Sequence, residues 1–306
     1  MIDALVVVGL LTINSYIAWR YSKMPVESDF GIFAMWGMTG AAYGRDFVDC
    51  KSPGVHLWLL LLSKVKRDIK VVRLLHFFVT GLPSVIYYAF TRDYTGALAF
   101  LILIHSGWLY AFHGNVGDMP AGLIFLALIT GNPWLFVALL VVATFYEPKL
   151  VVATGLMILI KIQTVWLPSL VYGALIAIAV GLLYFKLRQV FDALIESAYT
   201  IPKRMAAKRK GLYQFMPNFT SIPVMYVLPW LFAAVYAKPE FLYWLPVLVF
   251  IVFQFLGKVV RPNHLLPLAA WIAAAGIRPE IALALATTDL LSSCLYLGNI
   301  WARYYS

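Results

Sequence analysis

Two nearby stretches decide the reading of this chain: Glu27-Ser28-Asp29-Phe30-Gly31-Ile32-Phe33-Ala34 and, nine residues on, Tyr43-Gly44-Arg45-Asp46-Phe47-Val48-Asp49-Cys50-Lys51-Ser52-Pro53-Gly54-Val55-His56. Both sit between the first and second apolar runs of a chain that is 62% hydrophobic and only 12% charged. Asp29, Arg45, Asp46, Asp49 and Lys51 are thus gathered in one loop. Two or three charges would keep a plain connecting loop out of lipid, and these form an ordered motif as well. The grouping points to chemistry at a membrane surface.

A soluble domain is nearer half apolar and one quarter charged. Here apolar runs recur along the whole 306 residues, many near the length needed to cross roughly 30 Å of hydrocarbon. They are continuous and do not alternate, which excludes a β-barrel. The fold class expected is all-α: a polytopic helical membrane protein with about ten to twelve transmembrane helices. The N-terminus has no basic region and no small-residue cleavage site, so the first run reads as a retained span. Two cysteines, Cys50 and Cys294, are too few for a disulfide framework. The net charge of +10 suits membrane lipids with anionic headgroups. Nucleic acid is not an expected partner, because the basic residues are scattered between spans.

Residues 3–19 form the first expected span and residues 20–52 the charged loop. Within that loop an amphipathic helix is expected from Phe30 to Ala42, with Phe30, Phe33, Ala34, Gly37 and Ala41 on one side. A second span, 53–63, ends in Lys64-Val65-Lys66-Arg67-Asp68-Ile69-Lys70. Its cations mark that turn as cytoplasmic by the positive-inside tendency. The first loop then faces the extracytoplasmic side, against which Arg20 and Lys23 weigh only weakly. Further runs follow at 71–91, 95–112, 119–131, 133–146, 149–161 and 165–185, broken at Gly131-Asn132-Pro133 and Glu147-Pro148-Lys149. Residues 186–221, with Lys186, Arg188, Lys203, Arg204, Lys208, Arg209 and Lys210, read as a basic cytoplasmic loop. They serve as a topology signal, as a helix lying on anionic lipid, or as both. The last runs are 222–237, 240–257, 263–276 and 279–298. The whole of 1–306 is expected to form one transmembrane domain without a soluble C-terminal domain. No internal repeat is visible.

The ordered motif of the first loop resembles the GT-C superfamily of membrane glycosyltransferases. It is most similar to the protein-O-mannosyltransferase-like and aminoarabinose-transferase-like enzymes. In that family an acidic residue precedes a short helix, followed by Tyr-Arg-Asp-x-x-Asp-x-Lys-Pro-Pro; here Ser52 replaces the first proline. Arg261-Pro262-Asn263-His264-Leu265-Leu266-Pro267 is similar to a late family segment, with Leu265 where a tyrosine is usual. Gly114-Asn115-Val116-Gly117-Asp118 falls where the family often has another acid. Family members are usually longer.

The resemblance implies transfer of a sugar from a polyprenyl-phosphate-linked donor to a lipid, glycan or protein acceptor on the extracytoplasmic side. Asp29 would be the catalytic base, its alternative role being the cap of the following helix. Arg45 and Lys51 would hold the donor phosphate, with Arg261 and His264 completing the clamp. Asp46 and Asp49 would pair with those cations and position them. Asp118 and Glu147, acids in or near the membrane, are supporting candidates by default; Glu147 has Lys149 close by as an alternative partner. Trp36, Trp108 and Tyr110 are candidates to stack on a sugar, although packing is the commoner role of such rings.

No His, Cys and Asp cluster has ligand spacing, so no metal site or other cofactor is expected from the residues. Some members of the superfamily do use a divalent cation. No glycine-rich phosphate loop is present, which disfavours a nucleotide-sugar donor. Two other readings share the scaffold: a transporter of lipid or lipid-linked sugar, and a non-catalytic membrane subunit that acts with a partner.

Overall fold

The computed structural model describes residues 2–23, 28–48, 53–110, 118–147, 150–161, 173, 175, 178–179, 192–193, 195–208, 241–256 and 271. Among them the chain is helical, and the β pairing is a single isolated bridge, Tyr43 to Phe47. The helices are α1 (Ile2–Ser22), α2 (Ser28–Thr39), α3 (Pro53–Ser63), α4 (Ile69–Thr91) and α5 (Tyr94–Tyr110). They continue as α6 (Asp118–Ile129), α7 (Pro133–Tyr146), α8 (Val151–Ile160), α9 (Ile201–Lys208) and α10 (Leu245–Leu256). The runs 165–185, 222–237, 263–276 and 279–298 lie wholly or largely outside the described residues.

Local chemistry sets the helix ends. Asp68 caps α4, its carboxylate accepting from the Lys70 amide at 2.8 Å. Asn132 caps α7 by accepting from the amides of Trp134 and Leu135, with Pro133 in the first helical turn. Gly40, at φ +75°, ends α2. Its N–H donates to the Gly37 carbonyl at 3.2 Å, and the Ala41 N–H donates to that of Trp36 at 3.0 Å. This paired closure needs a left-handed residue at that position, so α2 stops three residues short of the expected Ala42.

Asp3–Ser22 and Ile69–Thr91 are long and apolar enough to cross a membrane, by length and composition. The exterior is apolar as well: Leu5, Val8, Ile86, Phe90, Val142, Val151 and Leu159 are exposed large side chains. Exposed apolar surface on so many helices needs a lipid or protein covering.

α1 and α4 run antiparallel. The Tyr88 hydroxyl donates to Asp3 at 2.9 Å at one end, and Tyr21 lies against Phe77, ring centres 4.8 Å apart, at the other. Midway, the Asn14 amide donates to the Phe78 carbonyl at 2.8 Å, and its oxygen pairs with His105 Nε2 of α5 at 2.9 Å. A Cβ on Gly81 would collide with Asn14, so glycine makes room for this buried polar contact.

The expected second span is the principal correction. α3 has 11 residues, about 16 Å of helix, half of what the hydrocarbon core requires. It lies alongside α2 in the same direction: His56 meets Phe33 and Trp36, and Ser63 Oγ donates to the Gly37 carbonyl at 3.0 Å, while Trp58 Nε1 donates to His76 Nδ1 of α4 at 2.9 Å. The end of α1 and the start of α4 therefore share one end of the antiparallel pair, and α2 and α3 form a parallel helix pair between them. The charged loop packs on the first turn of α3, where Tyr43 and Phe47 lie against His56, and the basic turn Lys64–Lys70 joins the other end of α3 to the start of α4.

Candidate functional site

The α2–α3 pair is packed, not solvated. Phe30, Phe33, Ala34, Val55, Leu59 and Leu62 are buried with Ala18 and Tyr21 of α1, Val72 and Phe77 of α4, and Tyr146 of α7. Four of the five residues expected on one side of α2 (Phe30, Phe33, Ala34 and Gly37) are buried; Ala41 lies beyond the helix and is half-buried. The opposite side is not polar, since Ile32 and Met35 are exposed there. α2 is thus apolar on both sides, unlike the expected amphipathic helix.

Between α2 and α3 the motif makes its own small structure. Gly44, at φ +86°, donates to the Phe47 carbonyl at 2.8 Å. Asp46 Oδ2 accepts from the Ala42 amide at 2.8 Å. Arg45 donates twice to Asp46, through Nε and Nη2, each at 3.0 Å. Those side-chain bonds and the Ala42 amide hold the Asp46 carboxyl well down, at about 2. The same bonds raise the Arg45 guanidinium. Both side chains are exposed. The expected pairing of Asp46 with Arg45 is present, and it engages the guanidinium that was assigned to a phosphate.

Four aromatic rings surround His56, which is buried. The centres of Phe47, Tyr43, Phe33 and Trp36 lie 4.8, 5.2, 5.3 and 5.5 Å from the imidazole. Trp36 also stacks on Phe47 at 4.0 Å, so its ring is part of the core of the pair. This cluster ties the motif's two halves together: Tyr43 and Phe47 from the turn, His56 from α3.

Asp29 occupies the second position of α2, where a carboxylate complements the helix dipole. It is separated from Thr39 by about 15 Å of helix. The neighbour of Asp29, Phe30, lies against α4: the Arg73 guanidinium is 6.0 Å from the ring centres of both Phe30 and Phe77, and His76 is 5.8 Å from Phe30. Arg73 is buried. The sequence reading overlooked it because it directly follows the basic turn and reads as part of that turn. Its signal was available, since a lone arginine within an apolar run is a functional candidate by default.

Glu147 is brought to the α2–α3 pair from far along the sequence. It ends α7, its N–H donating to the Ala143 carbonyl at 2.9 Å. α7 ends against the start of α3: a Cβ on Gly54 would sit 2.9 Å from the Phe145 carbonyl and the Tyr146 Cα. Asp118 is the first residue of α6. Asp49, Lys51, Arg261 and His264 lie outside the described residues, as do the side chains of Asp29, Asp118, Trp108 and Tyr110. Among the described residues no group of three or more His, Cys, Asp or Glu side chains could hold a metal ion.

Comparison with known protein families, curated proteins and solved structures finds no match for this chain.

Proposed function

We propose that this chain is an integral membrane glycosyltransferase that moves a sugar from a polyprenyl-phosphate-linked donor to a lipid, glycan or protein acceptor. The observation that carries the reading is the built first loop. A motif of charged residues is held by two helices, a closed turn and an aromatic core against α1 and α4, which a mere tether would not need.

Asp29 takes the proton from the acceptor hydroxyl. The acceptor oxygen bonds to the anomeric carbon as the bond from that carbon to the phosphate oxygen breaks, and polyprenyl phosphate leaves with the electron pair. One displacement with one base inverts the anomeric centre. Lys51 neutralises the leaving phosphate. Arg73, a buried cation against the residue after Asp29, joins it in place of Arg45, which Asp46 engages. The reaction belongs to the face that carries the α2–α3 pair.

The first experiment is mass spectrometry of lipids bound to the purified protein, wild type against Lys51→Ala. A polyprenyl phosphate or its glycosylated form, lost in the variant, supports the clamp. A transfer assay with labelled donor then tests the base: Asp29→Ala should lower the rate roughly 10²–10⁴-fold with the fold intact. Unchanged transfer would remove Asp29 from the mechanism. Substrate crossing the bilayer without Asp29 would favour the transporter reading. Co-purifying partners and no turnover alone would favour the subunit reading, which the exposed, self-paired Arg45 suits.

A further inference from the structure

We propose that the α2–α3 pair is seated in one leaflet of an anionic bilayer, its outer apolar side on acyl chains and its basic rim on lipid phosphates. The inference stands apart from the catalytic reading and rests on three observations.

The first is depth. The pair meets α4 through Val72, Arg73, His76 and Phe77. Those residues fall within the first nine of α4, about 12 Å along its axis, less than half of a hydrocarbon core of roughly 30 Å. The pair therefore spans no more than one leaflet alongside α4.

The second is the chemistry of its outer side. Ile32 is 41% and Met35 50% exposed on α2, and Leu61 is 50% exposed on α3. A helix pair standing in water would present polar residues at these positions. Acyl chains cover such surface without cost.

The third is charge. Arg20, Lys23, Lys64, Lys66, Arg67 and Lys70 are all exposed at the end of the α1–α4 pair that holds the α2–α3 pair. Asp68 at that end is engaged in capping α4. At the other end Arg92 stands 3.9 Å from Asp3, with Asp93 next to it. Lys23 also lies over the Trp19 ring, 3.7 Å from its centre, the aromatic-and-cation pairing typical of the headgroup level. Each such cation near an anionic surface contributes about 1 kcal/mol. The complement of this rim is a phosphate-bearing leaflet.

The test uses the full chain with Cys50→Ser and Cys294→Ser, reconstituted into nanodiscs of phosphatidylcholine with or without phosphatidylglycerol. Single cysteines are placed at Met35 and Lys66. Met35→Cys should resist a water-soluble maleimide, and its fluorescent label should be quenched by lipids carrying a spin label on the acyl chain. Lys66→Cys should react freely and escape acyl quenching. Equal maleimide reactivity at the two sites, or an unquenched label at Met35→Cys, would overturn the seating.

The charge part has its own readout. Lys64→Gln, Lys66→Gln and Arg67→Gln together should lower retained phosphatidylglycerol at least several-fold while Met35→Cys stays protected. Unchanged retention would overturn the anionic rim.

Discussion

At the scale of single residues, the Arg45–Asp46 pair gives the clearest pH statement. The folded carboxyl lies at about 2, below its usual 3.8. A carboxylate depressed in this way stabilises the turn fully above its ordinary value, and that stabilisation is lost as pH falls from there through about 2. Both groups are exposed, so water and salt screen the pair and its contribution is small. The turn should therefore be unchanged between pH 5 and 8. NMR of selectively labelled aspartates should find one midpoint near 2 in detergent and in nanodiscs alike, which rises towards the ordinary range in Arg45→Gln, the Ala42 amide still holding it below. A midpoint near 3.8 in the wild type would mean the pair is not formed. Gly81 makes a second residue-scale case. Gly81→Ala would drive a methyl into Asn14 at its contact with His105. Thermal unfolding in detergent should show a loss of about 1–3 kcal/mol, the usual cost of overpacking.

Glycine lets α3 approach its neighbours closely on two sides. α2 crosses α3 at Gly37, where a Cβ would come within 3.0 Å of the Leu59 carbonyl group and the Leu60 nitrogen. Backbone cannot yield as a flexible side chain can, so Gly37→Val should part the α2–α3 pair and break the Ser63 bond to the Gly37 carbonyl. Amide exchange across Pro53–Ser63 should then rise, while that of α6 and α7 stays as in the wild type. Gly54 is the matching contact of α3 on α7. Gly54→Val should push the start of α3 off the end of α7 and weaken retention of the polyprenyl phosphate without altering Asp29. Lipid mass spectrometry on that variant separates the effect from loss of the base.

At the scale of the whole molecule, α1 and α4 fix which segments share a membrane face. If both cross, reporters inserted after Met1 and between Arg92 and Asp93 should give one side, and a reporter in the turn at Lys66 the other. Reporters at Lys66 and Arg92 on the same side would mean that α4 does not cross. The positive-inside tendency predicts the cytoplasm for Lys66. The GT-C resemblance carries the opposite expectation for the loop, so this experiment decides where the donor must be presented.

The sequence by itself determined the helical character, the apolar composition and most helix limits. Run length, together with caps such as Asp68 and Asn132, acts within a few residues of the chain. It also showed Asp29, Arg45 and Asp46 as one motif, because they are close along the chain. Only the tertiary structure decided that α3 lies alongside α2, since an apolar run of 11 residues reads alike as a short span or as a helix packed beside its neighbour. The same holds for the placement of Arg73 against Phe30 and of Glu147 beside the start of α3. Those neighbours are set by packing between residues dozens of positions apart, and hydropathy along the chain has no record of which apolar face meets which.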